Sequence, residues 1–139
     1  MPINTYLMFD GTCEEAFRYY EKHLGGKIGA LMRFGDAPSG PEPLPAAWSQ
    51  KVMHGTITID DVELFATDAP GRYSKPQGFR LALNVGTESE AERAFKALSD
   101  GGEVMMPLTE TFFAKRFGQT TDRFGIPWMV LCRSSETAS

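Results

Sequence analysis

Apolar residues recur at helical spacing in two stretches of the chain. Ala16, Phe17, Tyr20 and Leu24 make one stripe, and Ala91, Ala94, Phe95 and Leu98 make the other. Thr12 precedes the first stripe and Thr87 the second, each with a glutamate three residues on, Glu15 and Glu90. That is the pattern of a capping box, in which side chain and backbone satisfy each other's orphan groups. The glycine pairs Gly25-Gly26 and Gly101-Gly102 then stop both stripes, because glycine takes the left-handed conformation at low cost. Helices are predicted over residues 12–24 and 87–100.

Elsewhere the period is two. Residues 3–9 read as a strand with Thr5, Leu7 and Phe9 on one face and Asn4, Tyr6 and Met8 on the other. A second strand is predicted over 27–34, and 51–59 and 62–67 alternate about Asp60-Asp61 as a hairpin. In residues 78–85, Phe79, Leu81, Leu83 and Val85 alternate with Arg80, Ala82 and Asn84, and the apolar set is assigned to the helix side. Strands near 103–110, 113–120 and 126–133 follow, the last after the turn DRFG. The stretch GDAPSGPEPLPAAWSQ, residues 35–50, has four prolines and no period, the mark of a functional loop, a lid or a disordered excursion.

The two halves repeat. Gly11, Thr12, Glu15, Ala16 and Arg18 recur 75 positions later as Gly86, Thr87, Glu90, Ala91 and Arg93, while the closing glycine pairs recur at 76. The chain is therefore expected to be one α+β domain, 1–139, built from a βαβββ module over 1–68, a linker over 69–77, a second module over 78–133 and a frayed tail over 134–139. One helix covers one face of a four-stranded sheet, so the other face is free to be concave. The offset of 75 puts Thr5, Leu7 and Phe9 at the places of Arg80, Ala82 and Asn84, and all six are expected on that free face.

Composition narrows the function. Fourteen basic residues stand against 18 acidic ones, a net charge of -4 with no basic cluster, which argues against nucleic acid as a partner. No apolar run has membrane-spanning length, and the opening MPINTYLMFDG lacks the regions of a signal peptide, so a soluble cytoplasmic protein is expected, with no membrane partner. Cys13 and Cys132 are isolated and are expected to be buried or idle thiols, although the helix N-terminus beside Cys13 would favour its thiolate.

The segments YLMFDGTCEEAFRYYEKHLGG and ETFFAKRFGQTTDRFGIPWMV resemble the PhnB-like subgroup of the vicinal-oxygen-chelate superfamily, which includes glyoxalase I, extradiol dioxygenases and bleomycin-resistance proteins. The resemblance implies the glyoxalase/bleomycin-resistance/dioxygenase fold, two modules in pseudo-two-fold arrangement forming a curved, mostly antiparallel half-barrel sheet with helices outside. Metal-dependent members hold a divalent ion with His and Glu from the first and last strand of each module. Carried over, those positions are Thr5, Arg80, Met129 and one of Glu63, Leu64 or Phe65, and one carboxylate does not make a site. No metal and no cofactor are expected. The label of ubiquinone-pathway methyltransferase given to some PhnB-like proteins finds no support, since no glycine-rich loop follows an opening strand.

His54 recurs in the subgroup on the third strand and weighs as a hydrogen-bonded structural residue more than as a catalyst. His23 suits the helix dipole, and Asp68 suits turn capping. The resulting expectation is a homodimeric small-molecule binding protein whose pocket takes Thr5, Leu7, Phe9, His54, Glu63, Phe65, Arg80, Asn84, Trp128 and Met129. Arg80 is the expected polar anchor, its guanidinium either hydrated, paired with a carboxylate such as Glu63, or waiting for an anionic or carbonyl-bearing ligand. The alternative is an enzyme of the same superfamily, of lyase, isomerase or dioxygenase type, with or without a metal.

Overall fold

A computed structural model describes residues 1–36 and 46–133. Most of the proline-rich stretch expected to be a loop, and the tail expected to fray, lie outside the described residues. The chain divides into two compact units, Met1–Ser74 and Lys75–Ser139. Each is a βαβββ module, and the protein is an α+β protein.

The first unit contains β1 (Tyr6–Phe9), α1 (Cys13–Leu24), β2 (Lys27–Arg33), β3 (Val52–Ile59) and β4 (Val62–Asp68). The second contains β5 (Leu81–Val85), α2 (Glu88–Ser99), β6 (Glu103–Thr109), β7 (Ala114–Thr121) and β8 (Pro127–Arg133). The strand orders are β1-β4-β3-β2 and β5-β8-β7-β6, the same path taken twice. In both sheets the strand before the helix pairs in parallel with the last strand, and the other ladders are antiparallel.

The helices cover one face each with the expected stripes. Ala16, Phe17 and Tyr20 of α1 are buried with Cys13, and Ala91, Ala94, Phe95 and Leu98 of α2 are buried. Leu24 is only half-buried. Phe17 meets Phe9 edge-to-face at 6.3 Å, and burying each such ring is worth about 1.5–3 kcal/mol.

The helix starts differ from the local reading. Thr87 caps α2, its hydroxyl oxygen accepting from the Glu90 N–H at 3.1 Å. Thr12 makes no side-chain cap to α1. Asp68, at the end of β4, does that work instead: its carboxylate accepts from the Cys13 N–H and the Val52 N–H, both at 2.9 Å. Gly25 ends α1 in the left-handed conformation with φ 69°, whereas α2 ends at Asp100 and the left-handed residue is Gly101.

Leu7 and Phe9 correct the expected facing of β1. Both are buried against the helix side, and Tyr6 and Met8, 52% and 44% exposed, face the other way. The repeat slips by one residue here. Leu7, Ala66 and Gly55 form a row across the first sheet, and Leu83, Val130 and Gly118 form the same row across the second. The two row glycines lie under matching helix rings, Phe17 and Phe95. Leu7 therefore corresponds to Leu83, an offset of 76, because Asp10 separates Phe9 from Gly11 while Val85 runs directly into Gly86. A one-residue slip turns every side chain of a strand to the opposite face.

The described ends of the proline-rich stretch are not structureless. Phe34–Asp36 and Ala46–Trp48 are single 3-10 turns, and the Gly35 N–H donates to the Ser49 carbonyl at 2.8 Å. Phe34 and Trp48 meet edge-to-face at 6.3 Å, so the two ends are pinned to each other.

Candidate functional site

Each sheet leaves one face without a helix. In the first module the alternation of β4 buries Leu64, Ala66 and Asp68 and turns Glu63, Phe65 and Thr67 outward. On β3 the same alternation presents His54, Thr56 and Thr58. With Tyr6 and Met8 on β1 and Met32 opposite His54 on β2, this face mixes apolar and aromatic side chains with threonines, His54 and Glu63. Thr56 and Thr67 spend their hydroxyls on the backbone, accepting from the Ala30 N–H at 2.9 Å and donating to the Met53 carbonyl at 2.7 Å. His54 is half-buried against Phe65, ring centroids 5.8 Å apart, and its imidazole makes no hydrogen bond among the described residues. That removes the expected reading of His54 as a hydrogen-bonded structural residue and leaves its ring nitrogens available.

In the second module Ala82 and Asn84 share a face with Met129, Leu131, Phe117 and Gln119. Asn84, Leu131 and Phe117 make one row, and Ala82, Met129 and Gln119 the next. Phe113 closes on Phe117 at 5.1 Å. Trp128 corrects the sequence expectation: it is buried at 3% exposure on the helix side, and its indole N–H donates to Asp122 Oδ2 at 2.9 Å. Asp122, in the turn before β8, also accepts from the Phe124 and Ile126 N–H groups.

Arg80 stands just before β5. Its Nη1 donates to the carbonyls of Thr120 at 3.1 Å and Trp128 at 3.4 Å. It lines a cleft of about 450 Å3 between residues 75–80 and the strand ends at Glu103, Thr121 and Pro127. Thr5 precedes β1, and its carbonyl accepts from the Phe65 N–H at 2.9 Å, so its backbone belongs to the sheet. Glu63 is exposed, and its carbonyl holds the Asn4 side-chain amide.

The residues at the positions carried over as metal ligands do not suit a divalent ion. A guanidinium only donates hydrogen bonds, a thioether suits soft ions, and a threonine hydroxyl is a weak neutral donor. Among the described residues no three His, Cys, Asp or Glu side chains are grouped as such an ion needs. Cys13 is no nucleophile either. Burial, then the carboxylates of Asp68 and Glu14, push its thiol well above the ordinary range, against the sequence expectation from the helix N-terminus.

Several site residues escaped the sequence reading. The offset assigns Tyr6 and Met8 to the helix side, and Met32, Phe117 and Gln119 become visible only through strand pairing. Lys75, Gln77, Glu103 and Thr121 come together through a turn and a strand register that no local pattern shows.

Residues 3–130 match the family model of the Glyoxalase/Bleomycin resistance protein/Dioxygenase superfamily. The chain belongs to this superfamily. Protein YjdN of Escherichia coli (strain K12) is 33% identical over 138 residues, covering 94% of both chains. Among solved structures, protein PA1353 from Pseudomonas aeruginosa is 44% identical with a TM-score of 0.84, covering 96% of this chain and 98% of its own. The PhnB protein from Bacillus cereus is 27% identical with a TM-score of 0.79, covering 95% and 99%. The superfamily and the PhnB-like neighbourhood are those the two sequence segments resemble. No described helix is long and apolar enough to cross a membrane.

Proposed function

We propose that the protein binds a small organic molecule on the helix-free faces of its sheets, without a divalent metal, and that it works as a homodimer in a reducing compartment such as the cytoplasm. The observation that carries the reading is the character of those faces. Tyr6, Met8, Met32 and Phe65 in one module, and Phe117 and Met129 in the other, give apolar surface, with His54, Thr58, Glu63, Asn84 and Gln119 as the polar groups beside it. Apolar walls with few polar groups are the usual composition of a small-molecule site. Two buried, unpaired cysteines suit a compartment that keeps thiols reduced.

The PhnB protein from Bacillus cereus is named as a candidate 3-demethylubiquinone-9 3-methyltransferase. Nothing among the described residues favours that activity. β1 passes into α1 through Asp10, Gly11 and Thr12, and the first helical N–H is already held by Asp68, so the turn offers no cradle for a nucleotide.

The test is a fragment library screened by amide chemical shifts on the metal-analysed protein. The expected result is saturable shifts at His54, Phe65, Asn84 or Met129 with substoichiometric zinc, nickel, manganese and iron. Near-unit metal occupancy at these residues, or glyoxalase or ring-cleavage turnover, would replace the binding reading by an enzyme one.

A further inference from the structure

We infer that Arg80 is the anchor of an oxyanion subsite in the second-module cleft, taking the carboxylate or phosphoryl group of a small ligand whose body is apolar. This rests on the small-molecule reading above and names the chemical class for one part of the surface. The guanidinium is fixed on one nitrogen only. Nη1 is held by the Thr120 and Trp128 carbonyls, and among the described residues Nε and Nη2 have no hydrogen-bond or ion-pair partner.

The two carbonyls are themselves held. Thr120 is fully buried, its hydroxyl accepting from Ser99 Oγ at 3.0 Å and donating to the Glu103 carbonyl at 3.1 Å. Trp128 is fixed through Asp122, a carboxylate only 4% exposed. The plane of the guanidinium is thus set before any ligand arrives, and its Nε–H and Nη2–H edge is a fork of the kind that pairs with two oxygens of one anion. Little ordering remains to oppose binding.

The rest of the cleft fits the same class. Lys75 adds a second cation, and Glu103, the one carboxylate among the lining residues, forms no ion pair with either among the described residues. Phe79, Met105 and Pro127 supply apolar wall, and about 450 Å3 is room for a ring or short chain beyond the anionic head.

The test uses the full-length 15N-labelled protein with sodium benzoate, sodium phenylphosphonate and uncharged benzamide as probes. At least one of the two anions should give saturable shifts at Gly78, Arg80 Nε–H and Thr121, while benzamide gives none there. Arg80→Gln should weaken that binding by about tenfold or more, with the melting temperature little changed. Arg80→Lys, which keeps the charge and loses the fork, should fall between, and the exposed Lys75→Gln should weaken it less than Arg80→Gln. Should Arg80→Gln fail to fold, the Arg80→Lys and Lys75→Gln affinities carry the decision. Benzamide binding as well as benzoate in this cleft, or variants with unchanged affinity, would make Arg80 a purely structural clamp on Thr120 and Trp128. Probes that saturate only at His54, Phe65 or Met129 would remove this subsite and keep the small-molecule reading. No saturable shift on any face with a broad library would remove both.

Discussion

A Cβ placed on Gly118 would stand 2.7 Å from Cε1 of Phe95 and 3.0 Å from the Cα of Leu108. The ring of α2 rests on the sheet at the one residue that has no side chain, and the backbone of β6 closes the other side. Gly118→Ala is expected to lower stability by about 1–3 kcal/mol, measured by urea unfolding. Gly55 holds the same place in the first module, but its added Cβ would meet only side-chain atoms of Phe17, Leu31 and Val52 at 3.2–3.3 Å. Gly55→Ala should cost less. Equal costs would mean that the two helices are not seated as described.

The same pair of rows explains what the sequence could show. The repeated GT-x-x-E-A-x-R segment and the helix stripes carry the module, since period and glycine stops agree in both copies, although of the two expected caps only Thr87 forms. In β5 the face was legible because Ala82 and Asn84 contrast with Leu81, Leu83 and Val85, whereas Phe79, just before the strand and expected on the helix side, is 48% exposed and lines the cleft with Arg80. In Tyr6-Leu7-Met8-Phe9 both faces are apolar, so alternation cannot choose and only the repeat offset remains, which Asp10 shifts by one. β8 has the same ambiguity from Trp128 to Cys132. Long-range partners were beyond reach for a different reason: Asp68 caps a helix start 55 residues away.

Asp68 is expected to be a structural acid. Its two oxygens each take one buried N–H, and Asp68→Asn would turn an amide NH2 toward one of those donors. A loss of roughly 2–4 kcal/mol is expected for Asp68→Asn or Asp68→Ala, from unmet buried donors near α1 and β3. Thermal or urea melts check this. Normal stability with lost ligand binding would instead make Asp68 a site residue.

Glu14 should carry a pH-dependent share of stability. Its hydrogen bond from Arg33, 2.7 Å long, with the charges of Arg33 and Arg18 behind it, holds its carboxyl below the ordinary 4.5. A carboxylate with a depressed folded pKa stabilises above the unfolded value and loses that contribution as pH falls through the folded one. Wild type and Glu14→Gln should therefore differ most above about pH 4.5 and converge in more acid solution. A difference independent of pH would place the effect elsewhere, and the surface position of the pair makes it small and sensitive to salt.

The Asp60-Asp61 hairpin turn is strained in a way that glycine would relieve. Both residues have positive φ, 45° and 66°, with Ile59 paired to Val62 across a two-residue loop. Such turns favour Asn-Gly or Asp-Gly. Asp61→Gly should raise stability by about 0.5–1 kcal/mol, the relieved strain exceeding glycine's added unfolded-state entropy. A destabilised variant would show that the Asp61 side chain holds the turn.

Exposed sheet ends bear on assembly. On the single chain, Val104, Met105 and Met106 of β6 are 45%, 52% and 42% exposed, and β6 lies at the end of its sheet with β7 as its one strand neighbour. Tyr6 and Met8 are exposed on β1, at the end of the other sheet. Edge strands with apolar side chains are normally covered or guarded, and β6 carries only Pro107 and the charge of Glu103 at its start as guards. A second copy of the chain offers cover with the same apolar character, and a closed two-fold pair leaves no edge to extend into a filament. Light scattering at micromolar concentration should give about twice the 15.4 kDa chain mass. Amide exchange should slow on β6 or β1 as concentration rises through the dimer's dissociation range. A monomeric mass at every concentration would leave these methionines and Tyr6 to the ligand alone, and would make the binding faces sites of one chain rather than of a pair.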